Sequence, residues 1–349
     1  MNPPIRRQRI IWADILRIVA AFSVVWIHVS AAYQKGAVPW EFRAWTAIVL
    51  RLLAAFAVPS FFMLSGMLFL DSQRTVTRLT IASACGRLLR AYLFWSLVYL
   101  LILPGRPSFP PTSQHFIRLL RGSAGPLWFI PAIMSCYLAL PPLKTVAQDL
   151  KTERWFLISA LGLVIIPETI RELSSFGRGV IPSQKNIATC SFSIFYFVLG
   201  DYLNRQRLPK RVRHCLYLFG MVAFGAMVAI RFHSWNGDRL HSGSGPEVLW
   251  AAMYSSALFL WFKYTFETVT FTPFVSKRLA EVSDTTFGIF LVHELVMFGI
   301  RFAFHLANVY KPFGTIGLIA IPFESLVVFT VSLFAILLLK KIPFLKVFV

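Results

Sequence analysis

Apolar runs long enough to cross a membrane follow one another along almost the whole chain, with polar loops between them. A helix needs about 20 residues to cross a bilayer, because each residue adds about 1.5 Å against a hydrocarbon core of about 30 Å. Ten runs account for most of the chain, near 10–32, 44–70, 81–103, 126–143, 154–167, 188–203, 214–232, 248–265, 286–307 and 315–339. The fifth and sixth are short for a span. A membrane barrel would read as brief alternating segments instead. The expected fold class is therefore all-α, a polytopic membrane protein of about ten transmembrane helices. Residues 1–349 read as one integral-membrane domain with no appended soluble domain. The first run is too long for a secretory leader and lacks a small-residue cleavage site, so it is expected to remain as a helix.

The net charge of +20 is strongly basic. There is no polar domain to hold a nucleic acid, so no nucleic-acid partner is expected. Basic residues in membrane proteins gather instead in the cytoplasmic loops. With both termini cytoplasmic, the inner segments hold nearly twice as many lysines and arginines as the outer ones, including Arg9, Arg87, Arg90, Arg205 and Lys263. That places both termini inside. Arg17 and Arg51 fall within spans and are functional candidates for that reason. Cys85, Cys136, Cys190 and Cys215 lie in or beside apolar runs without CxxC spacing, so they read as packing residues rather than disulfides. His233 and His241, in the polar 233–247 loop, have no third ligand at suitable spacing. No metal site is expected.

The first run, IIWADILRIVAAFSVVWIHVSAA, carries Asp14, Arg17 and His28. Ionisable groups cost about 2.5–3.5 kcal/mol each at the centre of a span, so they face a cavity or a partner. Arg17 and His28 are eleven residues apart, which returns both side chains to one helix face, roughly 16 Å apart along the axis. Asp14 stands three residues before Arg17 and can pair with it. The plain alternative is that Asp14 and Arg17 anchor the helix at the interface and His28 is a satisfied core histidine.

Arg51, in the second span, lies at a depth similar to His28, or else reaches for the outer headgroups. Pro59 and Ser65-Gly66 suggest a bend and a close helix contact in the same span. Arg87 and Arg90, one turn apart at the cytoplasmic end of the third span, suit an anionic phosphate. Trp128 opens the fourth span at the outer interface, where aromatic residues gather. The 168–187 segment, with its charged residues, is a candidate part of an outer acceptor site. In the ninth span His293 and Glu294 lie near mid-membrane. As sequence neighbours they point about 100° apart and are not expected to face one partner. A glutamate at that depth needs a partner, which Arg17 or Arg51 could supply.

Taken in order, DILR…VVWIHVS, VPSFFMLSGMLF, RLLRAYLFWSLVY, PLWFIPAIMSCYL and FGIFLVHELV resemble the acyltransferase family 3 membrane proteins, which O-acylate bacterial surface glycans. Arg17 and His28 resemble that family's pattern of an arginine and a histidine separated by ten residues. The layout is similar to compact members of the enterobacterial-common-antigen O-acetyltransferase type. Two positions depart from the pattern. Ala55 stands where many relatives carry an arginine, with Arg51 one turn earlier, and Pro126 stands where many carry a histidine.

The resemblance implies a multi-pass protein of the bacterial cytoplasmic membrane. It implies acetyl-CoA as donor substrate, with no metal, and a lipid-linked saccharide or surface glycan as acceptor. Catalytic roles would fall to His28, Arg17 and Arg51. Asp14, Arg87, Arg90, Trp128, His293 and Glu294 would bind substrate. Succinyl in place of acetyl stays open. So do two rival readings, an exporter of polysaccharide or lipid-linked sugar and an assembly partner in a glycan-synthesis complex. Against the exporter, no clear internal repeat is present.

Overall fold

The computed structural model describes residues 9–34, 42–72, 74–102, 125–175, 185–233, 248–306 and 317–349, and among these every regular element is helical. Helix α1, Ile11–Gln34, contains neither glycine nor proline and runs unbroken for 24 residues. Helices α2, Phe42–Leu53, and α3, Ala57–Leu70, form one apolar span interrupted at residues 54–56. Pro59 explains the interruption. It has no N–H to give, and its ring crowds the carbonyl four residues back, that of Ala55. The regular ladder resumes when the Ser60 N–H reaches the Phe56 carbonyl at 3.0 Å.

Helix α4 spans Arg78–Ile102. A 3₁₀ turn, Gly125–Trp128, leads into α5, Phe129–Leu138, which meets α6, Leu140–Val146, at a 60° bend. Pro141 and Pro142 cannot extend the preceding ladder, so the run expected as one straight span at 126–143 is broken at Ala139. Helix α7, Leu150–Ala160, starts where Asp149 accepts the Thr152 N–H at 2.9 Å. It continues through a π-helical turn, Leu161–Ile165, into α8, Ile166–Ser175. Then follow α9, Lys185–Arg205; α10, Lys210–His233; α11, Val248–Phe266; α12, Pro273–Ser283; α13, Thr286–Leu306; and α14, Gly317–Leu339.

Helix occupies each of the ten expected runs. Six segments among the described residues are long and apolar enough to cross a membrane, seven if bent α5–α6 counts as one. The expected runs at 154–167, 188–203 and 248–265 fall on α7–α8, α9 and α11, which do not meet that measure. Helix α12, a short element between α11 and α13, is absent from the expected set. The 168–187 segment is helical as far as Ser175 and again from Lys185. Residues 103–124, 176–184 and 234–247, with most of the loops assigned to the outer side, lie outside the described set.

Helix α1 is the centre of the packing and touches α2, α3, α11, α12, α13 and α14. Its first turn is held by Trp12, perpendicular to Phe259 at 5.3 Å between ring centres. The expected close contact at Gly66 is present. A Cβ on Gly66 would land on the backbone of Phe197, and one on Gly200 would land on the backbone of Met63. The two contacts pair α3 and α9 antiparallel at backbone distance, which only glycine permits.

One end of α9 is pinned electrostatically. Arg205 Nη2 donates to Glu153 at 2.5 Å and to Asp201 at 2.6 Å. Buried Lys263 caps the same end by donating to the carbonyls of Leu203, Asn204 and Gln206. Glu153, fully buried and outside the six candidate spans, competes with Asp201 for one guanidinium. Burial, with Asp201 beside it, pushes the Glu153 carboxyl from 4.5 up to about 8. The folded chain thus holds this proton more tightly than the unfolded chain. The contribution is complete below pH 4.5 and is lost as pH rises through about 8. Glu153→Gln removes the contested charge. The variant should match wild type near the acid end of that window and gain about 1–4 kcal/mol of stability above it. Thermal unfolding in detergent across pH checks this, and parallel curves for the two proteins would refute it.

Candidate active site

Asp14 organises the start of α1. Its carboxylate accepts Arg9 Nε at 2.6 Å and the Ser283 hydroxyl at 2.6 Å, and lies 3.6 Å from Arg17 Nη1. Arg17 Nη1 also donates to Ser283 Oγ at 3.2 Å. Arg9 continues outward to Asp284 at 2.8 Å and to the Ala280 carbonyl at 3.0 Å. These bonds with Asp284, then Asp14, hold the Arg9 guanidinium well above the ordinary arginine range. Lys340 Nζ donates to the Asp284 carbonyl at 2.9 Å. The close of α12 is thereby tied to the start of α1 and to the end of α14.

Asp14 was expected to pair with Arg17, and it does, but much of its hydrogen-bonding capacity goes to Arg9 and Ser283. Arg9, Ser283 and Asp284 were not singled out in the sequence. Arg9 reads there as one more basic loop residue, and the SDTT of residues 283–286 carries no motif.

Arg17, Arg74 and Arg87 all lie within electrostatic reach of Tyr137, whose hydroxyl is hydrogen-bonded to Ser65. Arg74 lies over the Phe69 ring at 3.8 Å, and Phe69 packs on Tyr137 at 4.6 Å between ring centres. Arg17 and Arg87 thus share Tyr137 as a neighbour. Arg90 is exposed on α4, like Arg87, while Leu88, Ala91 and Tyr92 between and beside them pack inward.

At His28 the structure departs from the expected geometry. Glu294 Oε1 stands 3.9 Å from His28 Nδ1, and the His293 ring lies 4.9 Å from the His28 ring centre. The two α13 residues point about 100° apart, yet both reach His28 because its imidazole lies between their directions. Glu294 therefore meets the histidine of the first helix, where the sequence suggested Arg17 or Arg51. A nitrogen–oxygen separation of 3.9 Å is beyond hydrogen-bond length.

His293 is fully buried. Its Nδ1 faces the Phe290 carbonyl at 2.7 Å. A carbonyl only accepts, so the proton belongs on Nδ1 and Nε2 is left as an acceptor. That Nε2 is buried without a partner.

Arg51 Nη1 donates to Gln34 Oε1 at 3.1 Å, joining α2 to the last turn of α1. It is among the charges that His28 feels, as its expected depth implies. Trp128 is 40% exposed. A chain of rings links it to the site, Trp128 to Phe129 to Phe290 to His293.

Higher on α13, Arg301 Nε donates to Glu324 of α14 at 2.6 Å. Glu324 is a functional candidate the sequence reading missed, although a lone acid seven residues into an apolar run is a signal. Among the described residues no group of three or more His, Cys, Asp or Glu side chains is placed to hold a metal ion.

The arrangement offers a guanidinium cluster at one end of α1, then an imidazole with a carboxylate behind it about three turns along the same face. Anion binding at one point and proton transfer at the other is chemistry those groups can perform. A family model described as an acyltransferase domain matches residues 10–340. A search of curated proteins returns no match.

Proposed function

The chain belongs to the acyltransferase 3 family, and from that premise we propose that it moves an acyl group, acetyl first among the candidates, from cytoplasmic acyl-CoA to a hydroxyl of a cell-envelope or exopolysaccharide sugar. The observation that carries this reading is the approach of Glu294 to His28 on the helix face that also bears Arg17. A base with a carboxylate at its second nitrogen is the arrangement proton abstraction from a hydroxyl needs. With the Arg9 end of α1 at the cytoplasm of a bacterial inner membrane, the phosphates of the donor meet Arg17, Arg87 and Arg90. The flexible pantetheine arm carries the thioester up the helix face.

His28 Nε2 takes the hydroxyl proton as the sugar oxygen attacks the thioester carbonyl. The carbon–sulfur bond breaks, and the departing thiolate takes the proton back from the imidazolium. Glu294 holds the Nδ1 proton and stabilises the imidazolium between those events. Arg51 offers its guanidinium to the oxyanion. Asp14 acts indirectly, by fixing Arg17 against Ser283. An alternative order, in which His28 carries the acyl group before the sugar receives it, uses the same residues.

The test incubates purified protein in nanodiscs with acetyl-CoA labelled in the acetyl group, with and without a crude envelope glycan extract. CoA release together with label on glycan supports the reading. No CoA release with extract present overturns it, and glycan moved without a change in mass would favour an exporter. Parallel reactions with succinyl-CoA decide the acyl group. Arg17→Ala should raise KM for acyl-CoA by roughly tenfold to a hundredfold, the loss expected for hydrogen bonds to a charged group, while leaving kcat within a few fold. An unchanged KM would remove Arg17 from the donor site.

A further inference from the structure

Arg301 lies seven residues beyond Glu294, on the same face of α13 and about 10 Å further from the Arg17 end. Among the described residues its guanidinium is held by one hydrogen bond and one ring. Nε donates to Glu324 at 2.6 Å, and the ring of Tyr33, five residues beyond His28, lies 5.8 Å from the guanidinium carbon. The Nη2 atom is shut away from solvent and has no hydrogen-bond partner among the described residues. Gln34, next in sequence to Tyr33, accepts from Arg51 and so joins α1 to α2. Among the helices that supply these groups, α1 packs against α2, α13 and α14, and α14 packs against α2 and α13.

A pair built only to tie α13 to α14 would use the fork of the guanidinium against the carboxylate. Here Nε alone reaches the carboxylate and Nη2 is left unsatisfied, which buried donors rarely tolerate. The group that completes it must bring an oxygen. A carboxylate or phosphate oxygen would face Glu324 as a like charge. A hydroxyl avoids this, because it accepts from Nη2 and donates to the carboxylate at once.

We infer that Arg301 and Glu324, flanked by Tyr33, form the subsite that grips the acceptor saccharide through its hydroxyl groups and sets which one reaches His28. This rests on the acyl-transfer reading for its role, but the binding claim is tested apart from it. Arg301→Lys keeps the charge and the pair with Glu324 but lacks the second arm. Arg301→Met with Glu324→Met removes the pair symmetrically.

In nanodiscs with the full-length protein, the concentration of envelope saccharide extract giving half-maximal transfer should rise roughly tenfold to a hundredfold in both variants. KM for acyl-CoA, and slow acyl-CoA hydrolysis without extract, should not move. A half-saturating concentration unchanged in Arg301→Lys overturns the inference and leaves an internal tie. A second readout omits the donor. The neutral fraction of the extract, separated by anion exchange, should raise the melting temperature of wild type and not of Arg301→Lys. If wild type releases no CoA yet shows this shift, the acyl-donor reading fails and the subsite stands. A shift with the acidic fraction alone, or equal shifts in both proteins, overturns the subsite.

Discussion

His28→Ala should reduce acyl transfer by roughly 10²–10⁴-fold, the usual contribution of a positioned general base, in protein that still inserts and folds. The fold should survive because α1 is anchored elsewhere, by Trp12 against Phe259 and by the Asp14 cluster at its start. Glu294→Gln separates the two parts of the site. It keeps the shape beside His28 and removes the charge that stabilises the imidazolium, so kcat should fall by about 10²-fold while KM for acyl-CoA stays near wild type. Assays of kcat on purified variants, beside thermal unfolding of the same samples, check both. Label trapped on wild-type protein and absent from His28→Ala would assign the histidine as acyl carrier rather than base. Full activity in His28→Ala removes it from the chemistry.

Gly66→Leu and Gly200→Leu should each cost more than about 4–5 kcal/mol, enough to prevent accumulation of folded protein. At both positions the new Cβ would overlap main chain of the partner helix, at Phe197 and at Met63. A side chain can rotate aside, but a helix backbone cannot without separating α3 from α9 along its length. The loss should also reach the active site, because α3 packs on α1 as well as on α9. Gly225→Ala on α10 is the control, since no atom lies within 4 Å of the added Cβ. It should leave folding unchanged. Yield after detergent extraction and thermal unfolding give the comparison, and normal melting of Gly66→Leu and Gly200→Leu would contradict the backbone contact.

What could be read from the chain alone is what depends on near neighbours. Run length and hydropathy place a helix at each expected position, because burying apolar side chains in lipid acts on each segment by itself. The eleven-residue spacing puts Arg17 and His28 on one face, because helical period is local. Ser65-Gly66 announced a close approach for the same reason, and Pro59, expected to bend the span, falls just after the interruption at residues 54–56. Asp14 was correctly paired with Arg17 from their three-residue offset.

Tertiary structure decided which groups meet. Glu294 finds His28 across a sequence separation of 266, and no period within either helix encodes that approach. Ser283 and Asp284 gain their roles only because α12 ends against the start of α1, where Asp14 and Arg9 stand. Arg9 looked like a loop charge because its partners, apart from Asp14, are some 270 residues away. Glu324 was passed over because an acid in an apolar run has no reading until Arg301 is placed beside it. Hydropathy put His28, Glu294 and Glu324 in apolar runs, but it is a sum over one segment and cannot specify contacts between segments. Those follow from how helices pack, and here glycine at the α3–α9 contact, proline at the two bends and the Asp14 cluster set that packing.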